Sequence, residues 1–503
     1  MSSLNDEPDE NNHIFYDPVT ILRPISRATG INLDQLNFVT VLLLSYGLGY
    51  WFRLQFRDAS RTTRAAVTTS IGLLFSYFCY GNAIVHLFIN GFGSYLFMIT
   101  VSPRHVHKAV FAFAMGYLLL IHAYRWMYQK TYCLDVTGSM MVAVGKITLL
   151  ASAIHDGMGR EEKDLNSGQK KDAVKEIPSV LDFASYMFNF QTVVCGPMSH
   201  YSTWSSFLDL EHVPKNDKTG KPYDPTSTAM LKFQVAIGFS VVFTIISPYL
   251  PMSVISDPAT NEYNLVVWWL ISVAASTVHR LPYYFAWTIS DAICNISGFG
   301  FDGLAEDTLE PKWSKTTNVK PLRVEFGQNY KEMVDNWNIW TVAWLRRVVY
   351  ERVEGPYRTL AVYVTGAVWH GLAVGYYFSF LTSALFTLSA ATFRRCMRHR
   401  FLDNSMHKLM YDIFGMLVSK FAIGYIHWPF YVMHFWPSLF MYRKLFMIPH
   451  MIALFVYLYL PQFFPPQSKS KSLGSSAITD KTSELSQRSS TRINSSTRTA
   501  IEK

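Results

Sequence analysis

The chain has 503 residues, half of them apolar and 16% aromatic, with only 16% charged and a formal net charge of +9. Soluble globular chains carry about a quarter charged residues, and here the apolar residues gather into long blocks, so a soluble enzyme is excluded and a polytopic membrane protein is expected. The charge excess is partly local, since the tail after Pro465 holds seven Lys/Arg against three acids, and no nucleic-acid partner is expected.

The first 37 residues form a polar arm that ends in Gly30-Ile31-Asn32 and is expected on the membrane surface. The arm lacks the basic, apolar and cleavage segments of a signal peptide, so the block from Phe38 is expected to act as the first signal anchor. Apolar blocks near Phe38–Leu54, Ala66–Ile89, Ala109–Met127, Met140–Ile154, Ala229–Leu250, Leu265–Val278, Ala361–Leu388, Phe414–Phe440 and Met447–Phe464 approach or exceed one bilayer crossing. The expected architecture is all-α, with about ten or eleven transmembrane helices in a membrane domain over 38–464, and the Ser/Thr/basic tail 465–503 is disordered by composition. Two basic clusters, Arg53/Arg57/Arg61/Arg64 and Arg394/Arg395/Arg398/Arg400, are expected on the cytosolic face, where they would also attract anionic lipid or a nucleotide's phosphates.

Between the blocks lie the punctuating motifs. Gly91-Phe92-Gly93 interrupts the second apolar run. Tyr117, His122, Tyr124 and Arg125 end the next helix and read as interfacial anchors. Asp135 stands like a helix cap, and Asp156-Gly157 ends the element it opens. The polar segment Met158 to Glu176 is expected to be solvated. Ile177 to Tyr201, short and rich in aromatics, reads as a re-entrant or interfacial helix. Alternate glycines in Ser297–Gly303 allow the backbone to break, and Leu304 to Asp335 is the longest polar insert between crossings. The residues 341–352 read as an amphipathic helix. The five cysteines are scattered without a CxxC pair and read as small buried hydrophobes, so neither disulfides nor a metal site is expected.

Two polar sites stand in apolar surroundings, Trp337-Asn338 and Val368-Trp369-His370-Gly371. A titratable ring at such depth is either a core histidine bonded to a carbonyl or a functional group. A neutral imidazole suits removal of a proton from an attacking alcohol, and a carboxamide N–H stabilises an oxyanion without burying a charge. His370 and Asn338 are too far apart in sequence to share adjacent turns, so they would have to converge from separate helices.

Taken in series, Leu134-Asp135…Thr137-Gly138, Asp156-Gly157, Gly196-Pro197, Arg280…Tyr283-Tyr284…Trp287, Val324-Glu325, Trp337-Asn338-Ile339…Trp344-Leu345, Tyr350-Glu351-Arg352 and Trp369-His370-Gly371…Gly375-Tyr376-Tyr377 closely resemble the membrane-bound O-acyltransferase (MBOAT) family, lysophospholipid acyltransferase branch. The resemblance covers about Phe38 to Phe464. It implies a multi-pass enzyme of the endoplasmic reticulum membrane with a central cavity, acyl-CoA as co-substrate, no cofactor, and a lysophospholipid acceptor drawn from membrane lipids; a homodimer is compatible with it. It also implies His370 as the catalytic histidine and Asn338 as its partner. Cys195-Gly196-Pro197-Met198-Ser199-His200-Tyr201 resembles the members that use lysophosphatidylethanolamine and lysophosphatidylserine, with departures after Pro197, and choline lipids stay open.

Around this pair, Trp337 and Trp369 flank the catalytic residues, Tyr283, Tyr284 and Trp287 either line the cavity or pack, and Arg346, Arg347 and Arg352 either meet coenzyme A phosphates or anchor at the interface. Glu325 is expected to bond an Arg or backbone and to have no catalytic role. The alternatives are an enzyme of the same fold acting on diacylglycerol, a sterol or a peptide, and a transporter with a histidine gate. The absence of an internal repeat speaks against the transporter, and the absence of grouped histidines against a metal-dependent hydroxylase.

Overall fold

The computed structural model describes residues 17–128, 133–216 and 220–466; the tail and most of the N-terminal arm lie outside the described residues. Within them the chain is helical, apart from two isolated bridges, Lys215 to Pro222 and Leu304 to Pro311. Seven helical stretches are long and apolar enough to cross a membrane, or eight if the pair Phe435–Lys444 and Ile448–Leu458, bent by 75°, is one crossing. This is fewer than the ten or eleven expected, for identifiable reasons. Leu33–Gln55 is long, but it carries Asp34, Asn37 and Arg53. Arg61–Thr100 counts as one stretch, yet it is two helices, Arg61–Tyr80 and Ile84–Thr100, joined by a turn at Gly81–Ala83. Arg358–His370 has 13 residues, about 20 Å of helix, too short to span alone.

The helices sort by what surrounds them. Val136–Met158 is 83% buried along its apolar window, against 11% for Thr226–Ile246, so the first is the protein's axis and the second faces lipid along most of its surface. Small residues allow that burial, because Ser139, Ala143, Gly145, Ala151, Ser152 and Ala153 let neighbouring chains approach closely. Asp135 caps the helix as expected, accepting from Thr137 N at 2.9 Å. The helix runs past Asp156-Gly157 to Met158, and Gly157 serves close packing instead, since a Cβ there would lie 2.2 Å from the Val174 carbonyl.

Several expectations from composition are corrected by packing. The helix Ile84–Thr100 continues through Gly91-Phe92-Gly93, whose missing side chains admit Phe188 and Phe113, and the break falls at Gly81. Residues 177–201 hold a shorter helix than expected, Val180–Phe188, with Phe183 and Tyr186 fully buried in protein, and the Tyr186 hydroxyl donates to the Ser199 carbonyl at 2.6 Å. The segment after Met158 is docked as well as solvated, with Gln169 buried in a capping box on Ser167–Asp172. The first basic cluster is largely structural. Arg64 is 2% exposed between the rings of Phe52 and Phe207 and donates to the Phe56 and Phe207 carbonyls, while Arg61 pairs with Asp182 and Asp209. In the second cluster Arg394, Arg395 and Arg400 are exposed, as the charge pattern predicts.

Candidate active site

His370 is the last residue of Arg358–His370, and Gly371 ends that helix at φ 126°, a conformation open to glycine. The helix end is fixed on two sides. Trp369 is 4% exposed, and its indole N–H donates to the Met141 carbonyl of the axial helix at 3.0 Å. His122, from Val106–Tyr128, donates through Nε2 to the Trp369 carbonyl at 3.2 Å. Its ring fills the space that a Cβ on Gly371 would occupy, with 3.3 Å between them. Hence His122 is a buried support for the His370 loop and not the interfacial anchor expected, and Arg125 pairs with the buried Asp135 at 3.0 Å. Phe430, Phe380 and Tyr376 surround the His370 ring at centroid distances of 5.0, 5.3 and 5.5 Å. Among the described residues, no protein group hydrogen-bonds the His370 ring, which is half-buried. The bonded core histidine at this end of the molecule is His122.

Asn338 precedes the helix Ile339–Leu345 with φ 48° and ψ 58°, left-handed backbone that asparagine tolerates better than most residues. Its side chain caps nothing. The helix is tied to the His370 helix through their tryptophans: Trp344 lies 5.3 Å from Trp369, and the Trp344 indole donates to Thr148 Oγ1 of the axial helix at 2.7 Å. Both candidate residues therefore hang from elements pinned by tryptophan to Val136–Met158.

The aromatic residues expected near this pair do come together. Trp337 contacts Trp287 at 4.9 Å, Tyr283 at 5.7 Å and Tyr284 at 5.8 Å. Beneath them Glu325 is bonded to Arg280, as expected: Arg280 Nε and Nη2 donate to its two oxygens at 2.9 and 2.8 Å. The Tyr284 hydroxyl adds a bond at 2.5 Å, and Lys420 forms a further ion pair. Arg280 is 1% exposed, so its charge depends on that carboxylate.

The three arginines divide. Arg352 pairs with Asp156 at 2.7 Å and Arg347 with Asp172 at 2.8 Å, both largely buried, so these two are internal struts. Only Arg346 is exposed, with Glu351 at 3.5 Å. Arg346 and Arg347 lie in the turn of π-helix Arg346–Tyr350 that follows Ile339–Leu345, and Arg352 comes just after it. An open depression of about 450 Å³, lined by Arg160, Gln169, Tyr350, Glu351 and Arg358, lies at the first turn of the helix whose last residue is His370. In the segment Cys195–Tyr201, the His200 ring lies 5.7 Å from that of Trp340. Burial pushes the His200 imidazole down to about 4 against the pull of Asp172, whose charge is already taken by Arg347.

Sequence reasoning missed His122 as a support and Asn318 as the group that caps Ile339–Leu345. Neither has a local signal, because each acts on a residue more than twenty positions away.

Comparison with known proteins agrees with this architecture. Residues 31–428 match the membrane-bound O-acyltransferase (MBOAT) family model. The chain is 34% identical over 472 residues to membrane-bound glycerophospholipid O-acyltransferase 1 of Mus musculus, covering 90% of this chain and 95% of that one. It is 35% identical to membrane-bound glycerophospholipid O-acyltransferase 2 of Homo sapiens, with 88% of each chain covered. The lysophospholipid acyltransferase of Saccharomyces cerevisiae is 29% identical, over 88% of this chain and 76% of its own.

Proposed function

Because the chain belongs to the membrane-bound O-acyltransferase family, we propose that it transfers a fatty acyl group from acyl-CoA to the free glycerol hydroxyl of a lysophospholipid, in the endoplasmic reticulum membrane. His370 acts as general base. An imidazole nitrogen takes the hydroxyl proton as the glycerol oxygen attacks the thioester carbonyl carbon. The Asn338 carboxamide donates to the carbonyl oxygen as it gains charge. Collapse of the tetrahedral intermediate breaks the C–S bond, and the imidazolium returns the proton to the leaving thiolate, so atoms and charge balance.

The observation that carries the reading is that, among the described residues, the His370 and Asn338 side chains are committed to no protein hydrogen bond, on helices pinned to one axis. Groups bonded into the scaffold would have to break those bonds to react. The names of the relatives quoted above support the lysolipid acceptor, and lysophosphatidylethanolamine and lysophosphatidylserine are the head groups favoured by the Cys195–Tyr201 motif. The test uses membranes containing the protein or its His370→Ala variant, fed labelled acyl-CoA and a panel of lysophospholipids, diacylglycerol and sterol. The reading expects product from the lysophospholipids and its loss in the variant. Undiminished product in the variant removes the mechanism, and esterification of diacylglycerol alone removes the acceptor.

A further inference from the structure

An asparagine just before a helix ordinarily sits extended and gives its side-chain oxygen to the amide of the second or third helical residue. Asn338 holds that position and does neither. The reason is that another asparagine does it. Trp340 N, the second amide of Ile339–Leu345, donates to Asn318 Oδ1 at 2.9 Å, and Ile339 N donates to the Asn318 carbonyl at 2.7 Å. One residue, twenty positions upstream, thus satisfies the first two amides that the helix leaves open.

Asn318 is well placed to be rigid. It is 5% exposed, and Lys320 N bonds the Asn336 carbonyl at 3.1 Å, so the strap runs alongside the approach to Asn338. The strap is anchored on two helices. Thr316 and Thr317 donate to the two oxygens of Asp291 at 2.7 Å each, and Lys232 bonds Asp291 at 2.6 Å and the Trp313 carbonyl at 2.7 Å. Part of the polar insert Leu304 to Asp335 is therefore a brace under the helix that follows Asn338.

We propose that Asn318 is a positioning residue for acyl transfer: by capping Ile339–Leu345 in place of Asn338, it keeps the Asn338 carboxamide free to face the thioester. This rests on the reading of Asn338 given above. Without the Asn318 side chain the Trp340 amide loses its acceptor, and Asn338, which holds the N-cap position, is of the residue type that takes over that role in the extended geometry asparagine prefers there. The carboxamide then spends most of its time capping.

The experiment compares kcat and KM for acyl-CoA and lysolipid in the purified full-length enzyme carrying Asn318→Ala, Asn318→Leu, Asn318→Asp, Asn338→Ala, or Asn318→Ala with Asn338→Ala. Asn318→Leu fills the same volume without an acceptor, and it is read by the same criteria should the alanine variant fail to accumulate. Removal of the acceptor is expected to lower kcat roughly five- to tenfold, the population shift a lost cap produces, with both KM values near wild type. Asn318→Asp keeps the acceptor oxygen beside a helix N-terminus that favours negative charge, and retains most of the rate. The double variant is expected to be no slower than Asn338→Ala alone, because there is no carboxamide left to divert. The inference is overturned by a wild-type kcat in Asn318→Ala and Asn318→Leu, by equal losses in Asn318→Asp, or by losses that multiply in the double variant. Full activity in Asn338→Ala overturns the parent reading instead, and is distinguishable because it appears without any change at position 318.

Discussion

Replacing Glu325 by glutamine tests how much of this membrane domain depends on one carboxylate. Glu325 holds two cations, Arg280 and Lys420, with side-chain exposures of 1% and 23%, and also receives the Tyr284 hydroxyl. At an effective dielectric of about 20, an opposite unit charge about 4 Å away contributes about 4 kcal/mol. Two such attractions are partly offset by the repulsion between the cations themselves. A neutral carboxamide in its place would leave that repulsion unopposed and one guanidinium buried without a counter-charge, for which the usual loss is about 3–5 kcal/mol. The assay is thermal unfolding of the detergent-solubilised protein, where Glu325→Gln is expected to lower the midpoint by several degrees. Because Trp337 rests on Tyr284 at 5.8 Å, activity is expected to fall at temperatures below unfolding. Adding Lys420→Met relieves the repulsion while leaving the guanidinium without a counter-charge, and is expected to restore part of the lost stability. A midpoint within about 1 °C of wild type for the single variant, or no recovery in the double, would refute the argument that the carboxylate organises the cluster.

Two further outcomes follow from packing and charge. Gly375→Ala would place a Cβ 2.0 Å from the Pro429 carbonyl, forcing apart the two elements that carry Tyr376 and Phe430 onto the His370 ring. It is expected to cost about 1–3 kcal/mol and most of the acyl-transfer rate, whereas Gly116→Ala, with open space around it, is expected to be neutral or slightly stabilising in the same melt and activity assays. His212 accepts from Gly300 N and Phe301 N at 2.9 Å each through Nε2, and burial, with Lys315 nearby, pushes its imidazole down to about 4. Since the folded state favours the neutral ring, stability is full above the unfolded value near 6.5 and falls as the pH drops from there toward 4, by on the order of 2–3 kcal/mol. A His212→Gln variant, whose side-chain oxygen supplies an acceptor without titrating, is expected to show a flatter profile of melting midpoint against pH; an unchanged profile would count against the assignment.

What could be read from the amino acids and what could not divide along a physical line. The apolar blocks and the Asp135 cap were legible, because hydropathy and local helix chemistry are properties of neighbouring residues; for Glu325 an arginine or a backbone group was expected, and only the fold shows that the arginine is Arg280. The arginine runs misled. Arg64 lies among phenylalanines, and Arg347 and Arg352 close on Asp172 and Asp156, whose positions are over 170 residues away. A charge pattern does not say which carboxylate folds against it. The same holds at the candidate site, where His370 and Asn338 stand out by type and setting while their supports, His122 and Asn318, carry no mark until the helices are assembled. Glycines were ambiguous for a related reason: Gly371 and Gly300 adopt positive φ, but Gly91, Gly93 and Gly157 sit inside helices and make room for other chains.

The burial of Val136–Met158 bears on how the polypeptide is made. This segment leaves the ribosome before the tryptophans that bond to Met141 and Thr148, since Trp344 and Trp369 follow some 200 residues later. Lys146, whose amine is bonded to the Tyr186 carbonyl and Thr192 Oγ1, also precedes those partners in translation. During synthesis the newborn helix thus presents an amine and a face of small residues with nothing to cover them, and lipid is a poor substitute for either. Its early neighbours, Ile84–Thr100 and Val106–Tyr128, pack against it and are already made. The nascent chain must therefore shelter this segment beside them at the insertion machinery until the second half arrives, so truncations that stop short of Trp369 would be expected to meet quality control rather than persist as partial bundles.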